Sequence, residues 1–389
     1  MGRLLGKQTY RDLILGIGLL GSAAALVIWP QQAMSAMRDG LDLCWNVILP
    51  SLFPFFVLSS LVVELGLSRY FGKLLEPIMA PLFRVNGTCA VALALGFVGG
   101  YPVGARTAIS LYQNGQCSKT EAERLLAFCN NCGPAFILGA VGAGIFGSGK
   151  MGLFLYLGHL AASLLVGILF RFYRPQEGPR SGGRLGAQFQ TVSFPVAFTR
   201  SVTGAMQSLL NICAFILFFT VAVRILVLSG CMTAFAGLLR PLGVSQIWAE
   251  RLLTGLLEMS SGVASLTQGA VSGRLSMAAF MLGWAGVSVH CQVLAFLGDS
   301  GLSLRTYVVG KLLHGLFSAA LVSALVRVFP IHCPVSVYLT EQTEAIAQLD
   351  FHRALTLSAA AAWGIWLAFL LLAAWMVKKN YGKRLRYGV

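Results

Sequence analysis

Three observations predict an all-α polytopic membrane protein with about eight transmembrane helices, two re-entrant hairpins and two inverted repeats. First, 57% of the 389 residues are apolar and only 11% are charged, where a soluble domain carries about 25% charged residues. Mean hydropathy is +0.75, and several apolar runs reach the ~20 residues that cross ~30 Å of hydrocarbon. Second, the basic residues behind the net charge of +15 lie in loops between those runs. That pattern orients membrane proteins, so the bilayer is the expected partner and nucleic acid is not. Third, the chain repeats itself at an offset of about 155–160 residues.

The apolar runs place crossings at roughly 12–30, 44–66, 122–146, 151–172, 205–229, 275–297, 305–328 and 354–377. Arg3, Lys7 and Arg11 precede the first run, which is longer than the 7–15 apolar residues of a cleaved signal. It is therefore read as an uncleaved span, residues 1–40. With the N-terminus in the cytoplasm, inner segments hold 20 of the 29 basic residues and outer segments hold seven, while Arg224 and Lys311 fall inside spans. An even number of crossings puts both basic termini on the cytoplasmic side, in the cell membrane. The loop 330–353, with Glu341, Glu344 and Asp350, then lies outside, ahead of a last span and basic tail at 354–389.

Residues 175–203 are polar and rich in Gly and Arg, a cytoplasmic linker between two halves at 41–174 and 204–329. "PLF" at Pro81 answers "PLG" at Pro241, Gly96 answers Gly255, and His159-x-x-x-Ser163 answers His314-x-x-x-Ser318. Each half holds three crossings plus a Gly-rich stretch. Three is odd, so the second half enters the membrane inverted, as in many secondary transporters. The stretches "GFVGGYPVGAR" (96–106) and "TGLLEMSSGVAS" (254–265) fit the parity only as re-entrant hairpins whose tips face each other near the midplane. Irregular backbone at that depth survives only under protein or beside a water-filled cavity. Residues 69–84, with alternating basic and bulky apolar residues and two prolines, read as an interfacial helix.

"PSLFPFFVLSSLV", "GYPVGAR" and "AERLLAFCNNCGP" together resemble the sporulation integral membrane protein family of the YlbJ or SpoVV type. That family lies within the Gate, or nucleoside-recognition, superfamily, related to concentrative nucleoside transporters. The resemblance covers about residues 40–330. It implies a Gate repeat at 41–174 and its inverted partner at 204–329, each with a scaffold helix, an interfacial helix, a hairpin and two further helices. It also implies movement of dipicolinic acid toward the forespore across the outer forespore membrane. Nucleosides, other organic anions and a non-transporting membrane scaffold remain alternatives. Homo-oligomerisation, coupling ion and direction stay open.

Arg106 is the sharpest candidate. A guanidinium at membrane depth costs ~2.5–3.5 kcal/mol even on insertion scales, and its fork suits a carboxylate; otherwise it snorkels to water. Gly99, Gly100 and Gly104 are expected to line a tight turn beside Tyr101. Asn130 and Asn131 precede Gly133-Pro134, where proline breaks the helix, so their amides either bind substrate or patch freed carbonyls. Glu258 with Ser260 and Ser261 forms the second tip. By region, not by motif, the nucleoside-transporter likeness gives such a glutamate a substrate or ion role; pairing with Arg224 or Lys311 is the other reading. His290 takes the second-half place of the asparagine pair. His159, His314 and Lys311 serve either a proton relay or interhelical hydrogen bonds.

Other motifs carry less. Cys129-x-x-Cys132 reads as small apolar residues on a helix, without metal or redox partners. "GIFGSGKM" (144–151) lacks the Ser or Thr that a P-loop needs after Lys150 and follows no strand. With no H-E-x-x-H and no G-x-S-x-G, neither an enzyme nor a cofactor nor a metal is expected.

A cysteine placed at Glu344 should therefore be labelled by an impermeant thiol reagent from the outer face. Labelling from the cytoplasmic face alone would reverse the topology.

Overall fold

The computed structural model describes residues 7–45, 49–65, 68–177, 193–266, 271–298 and 300–329. The crossing 354–377, the loop 330–353 and most of the linker lie outside the described residues. Everything regular among the described residues is helical. Among the described residues four helices are long and apolar enough to span a membrane, or six if two sharply bent pairs each count as one span.

Helix α1 (Lys7–Ile28) meets α2 (Pro30–Leu43) at a bend of 96°, with Pro30 pre-set for a helix start. Helix α3 (Leu49–Glu64) follows, then α4 (Ser68–Phe83), which is the helix expected at 69–84. It buries Leu75, Ile78, Met79 and Phe83 in the core. A 93° bend then leads through a short 3₁₀ turn into α5 (Ala90–Gly99). After three residues α6 (Val103–Gln113) runs back against α5, so 96–106 is a helical hairpin. At its tip Gly100 has φ +77°, and a Cβ there would stand 3.1 Å from Gly133 N. Glycine is the residue that enters this region without strain.

The run expected to cross at 122–146 is instead broken. Helix α7 (Lys119–Leu126) stops, residues 127–134 are irregular, and a π-helical segment (Ala135–Ile145) resumes. Pro134 cannot donate to a preceding turn, and here the chain leaves the helix before reaching it. Cys129 and Cys132 therefore stand in the break rather than on a helix, both buried free thiols. Helix α8 (Gly149–Phe170) closes the first half.

Helix α9 (Phe194–Leu228) begins eleven residues earlier than the apolar run suggests. Its buried stripe Ala197, Ser201, Ala205 and Leu209 recurs every fourth residue, the small-residue seam that lets helices approach closely, on a helix that packs against α2, α3 and α14. Then come α10 (Cys231–Gly237), α11 (Gln246–Leu257) and α12 (Met259–Ala264), the last two forming a second hairpin with Glu258 at the turn. Helices α13 (Val271–Trp284) and α14 (Gly286–Leu297) are parted at Ala285, whose φ is +79°. Helix α15 (Leu304–Val328) completes the bundle against α8 and α13.

One end of the first half is locked by α7. Arg124, fully buried, donates to the carbonyls of Arg84, Tyr173, Arg174 and Glu177 at 2.6–3.1 Å. A guanidinium at two helix C-termini meets both the free carbonyls and the negative dipole ends. Glu121 closes a capping box with Ser118 and also accepts from the Asn86 amide. Glu123 accepts from the Tyr173 hydroxyl and from Ser303 N, which ties α7 to the start of α15.

Both hairpins are zipped by glycine. A Cβ on Gly104 would lie 2.0 Å from the Cys129 carbonyl oxygen, and one on Gly96 would lie 1.9 Å from it. In the second hairpin a Cβ on Gly262 would come 2.2 Å from Gly255 Cα. Gly104→Ala should therefore cost ~1–3 kcal/mol or more through overpacking, whereas Gly149→Ala, with nothing within 4 Å, should stay within ~0.5 kcal/mol. Thermal unfolding in detergent compares them; equal melting would mean that α6 slides freely off the Cys129 carbonyl.

Candidate functional site

The break at 127–134 is where polar side chains gather. Its backbone has lost helical partners, and neighbouring helices supply them. Ser163 Oγ and Asn131 Nδ2 donate to the Phe128 carbonyl at 2.7 and 2.9 Å. The amide of Cys132 donates to His159 Nε2 at 3.0 Å. Lys311 Nζ donates to the Asn130 carbonyl at 2.8 Å. The repeated His-x-x-x-Ser motif thus has a local reason in the first half: an i, i+4 pair on one face of α8 holds two sides of the break.

Helix α15 presents Tyr307, Lys311, His314 and Ser318 as one stripe, at i, i+4, i+7 and i+11. All four are completely buried. The Tyr307 hydroxyl lies 3.2 Å from Asn130 Nδ2 and 3.1 Å from His290 Nδ1. Lys311 Nζ also reaches the Tyr101 hydroxyl at 3.0 Å and His314 Nδ1 at 3.1 Å. The Tyr101 hydroxyl in turn donates to the Leu282 carbonyl at 2.5 Å. His314 Nε2 is 2.9 Å from the His159 carbonyl, and the two imidazole rings stand 4.3 Å apart. The first tip, both chain breaks and the last helix of each half therefore meet in one buried polar network.

That network is not saturated. Asn130 Oδ1, Asn131 Oδ1, His159 Nδ1, His290 Nε2, Ser318 Oγ and the Tyr156 hydroxyl are buried without a partner among the described residues. All six belong to network residues, to the chain neighbour Asn131, or to positions about one turn away. Leaving such a group unpaired costs ~1–3 kcal/mol.

The expected site residues divide. Tyr101, Asn130 and His290 join the network, and Asn131 lies in the break. Gly100 packs on Gly133, while Gly99 stands at the end of α5 against Val103. Gly104 pinches the Cys129 carbonyl. Glu258 caps α12: its carboxylate accepts from Ser260 N at 3.1 Å and Ser261 N at 2.6 Å, and a Cβ on Gly286 would lie 3.4 Å from its Cα. Each tip thus rests on the break of its own half. Arg106 faces elsewhere, with its guanidinium 4.9 Å from the Phe56 ring centroid on α3 and next to Gly204 on α9. Its Nη1 is buried without a partner, as is Ser201 Oγ one turn from Gly204.

Tyr307 carries no distinguishing sequence signal, since a tyrosine in an apolar run is usually core. Lys311 does carry one, as a base inside a span. Tyr307→Phe should leave Asn130 Nδ2 and His290 Nδ1 unpaired and lower stability by ~1–2 kcal/mol. Thermal unfolding in detergent measures it, and an unchanged midpoint would make the hydroxyl dispensable.

The Gate model, described as nucleoside recognition, matches residues 45–180. An outward-facing structure of CNTnw aligns over 82% of this chain and 85% of its own, with a TM-score of 0.42 and 14% identity. The sporulation integral membrane protein YlbJ of Bacillus subtilis (strain 168) is 32% identical over 335 residues, which cover 80% of this chain and 82% of YlbJ. Identity of that extent over four-fifths of both chains makes this protein a member of the YlbJ family of integral membrane proteins.

Proposed function

We propose that this chain is a secondary transporter acting in sporulation, and that it moves a small organic dianion, dipicolinate, across the outer forespore membrane toward the forespore. The observation that carries the reading is a pair of cations without acids. Arg106 and Lys311 form no ion pair among the described residues, although both stand beside the first hairpin. An unpaired charge at membrane depth is costly and marks a pathway or a ligand. A scaffold protein gains nothing from that cost. An organic anion that meets each cation in turn offsets it.

The two cations suit different tasks. The Arg106 guanidinium presents a fork that matches a carboxylate, with Nη1 uncommitted. The amides of Asn130 and Asn131 offer free carbonyl oxygens toward ring edges, and Gly99, Gly100 and Gly104 let the backbone of the first tip come close. Ser260, Ser261 and Glu258 line the opposing tip. In this reading the hairpins are re-entrant and the two halves inverted, so the tips approach from opposite faces. The Gate description favours nucleosides as the competing substrate class, which a transport assay separates.

Arg106→Gln removes a charge-assisted pair of ~1.5–3 kcal/mol and should weaken dipicolinate binding roughly tenfold to a hundredfold. Arg106→Lys keeps the charge without the fork and should fall between. Spores of a Bacillus subtilis strain in which this chain replaces YlbJ should hold less dipicolinate in that order, at matched membrane levels. Full content in the Gln variant would remove Arg106 from the site. Uptake of uridine rather than dipicolinate into liposomes would shift the substrate class to nucleosides.

A further inference from the structure

We propose that Lys311 carries one proton with each transported anion, and that this proton latches the first hairpin tip to the second half through Tyr101. The inference rests on the transport reading above and adds its coupling.

Facing Lys311, the first hairpin contributes Tyr101, whose ring centroid is 4.8 Å from Nζ. The break contributes the Asn130 carbonyl, with the thiols of Cys129 and Cys132 on either side. Helix α8 contributes His159, α13 the Leu282 carbonyl behind Tyr101, and α14 His290 through Tyr307. Its own helix contributes Tyr307 and His314. None of these is a carboxylate, and Glu258, the acid of the other tip, is engaged by the amides of Ser260 and Ser261.

Hydrogen-bond roles then follow from the neighbours. His159 Nε2 accepts from the Cys132 amide, so its proton sits on Nδ1. His314 Nε2 faces the His159 carbonyl and must donate, so its Nδ1 is free to accept from Lys311. Both imidazoles are fixed as neutral tautomers, because a second proton on either would confront an existing donor. Lys311 is the group in the cluster that gains or loses a proton without breaking those bonds.

As an ammonium, Lys311 has three donors and faces three acceptors: the Asn130 carbonyl, His314 Nδ1 and the Tyr101 oxygen. Tyr101 can accept from Lys311 only while its own hydrogen points to the Leu282 carbonyl. That is the latched state, in which the tip is tied to α13. The ammonium charge in this dry site needs an anion, and the carboxylate of the substrate supplies it. When the anion leaves, the uncompensated ammonium gives its proton to water on the same side. The amine now has a lone pair, the Tyr101 hydrogen turns to it, and the bond to Leu282 is lost. Proton and anion therefore enter together, hold the tip closed together, and leave together.

The test uses the full chain in proteoliposomes with an entrapped pH dye and dipicolinate as probe. Wild type should show uptake at least tenfold faster with acid outside than without a gradient, together with internal acidification that appears only when dipicolinate is present. Lys311→Arg cannot discharge, since arginine stays protonated. It should lose gradient-driven net uptake together with the substrate-dependent internal acidification; its size-exclusion profile checks folding. Wild-type uptake without internal acidification overturns the inference while leaving transport intact, and needs no variant. Gradient-driven uptake by Lys311→Arg overturns it equally. Wild-type vesicles that take up no dipicolinate overturn the transport reading and the inference with it.

Discussion

Hydrocarbon offers no water to a broken helix, so each carbonyl and amide freed at 127–134 must find a protein partner. Much of the structure answers to that need. Ser163 and His159 on α8 and Lys311 on α15 reach into the break. The Cys129 carbonyl is closed off by two glycines on opposite arms of the first hairpin, where Cα–H groups can face an oxygen at short range. Remove the break and the hairpin has nothing to close on, α8 has no reason for a buried histidine, and α15 has no acceptor for its lysine.

Breaking a helix there also demands rigid ends. The α7 helix that leads into the break has only eight residues, too short to hold itself in place by its own hydrogen bonds. Its ends are fixed instead by side chains. Arg124 ties it to the C-termini of α4 and α8, and Glu121 and Glu123 tie it to the turn before α5 and to the start of α15. Charges that would be expensive in lipid are affordable there because each meets several backbone groups. The apolar half of the motif "AERLLAFCNNCGP" packs, and its polar half anchors and breaks.

The hairpins, the break before Pro134 and the helical class were legible because glycine, proline and hydropathy act locally, whereas the break at Ala285 inside the run 275–297 was not. Gly100 takes a φ that glycine enters without strain, and Pro134 removes a backbone donor where the helix stops. Partners across helices were not legible. Nothing in the sequence says that Tyr307 bridges Asn130 and His290, or that Arg124 gathers four carbonyls. Arg106 and Tyr101 are five residues apart on one hairpin, yet one faces α3 and α9 while the other faces α13 and α15. Which face a residue near a tight turn takes depends on the turn itself, and the sequence offers no periodicity through "GGYP". His159 and His314, 155 residues apart in the chain, have ring centroids 4.3 Å apart, a contact that no local pattern announces.

The two unpaired cations differ in a way that geometry alone would not require. Arg106, on α6, sits where the first hairpin meets α3 and α9. Lys311 sits where the two halves meet each other. Arginine holds its charge in any surroundings, while lysine gives it up when desolvated. A permanent charge suits recognition, because it attracts an anion in every state of the protein. A dischargeable charge suits coupling, because its state depends on whether the anion is present. Exchanging the two residues would leave the net charge unchanged, yet on the proposed reading it would put the permanent charge in the dry core, where it could never be released.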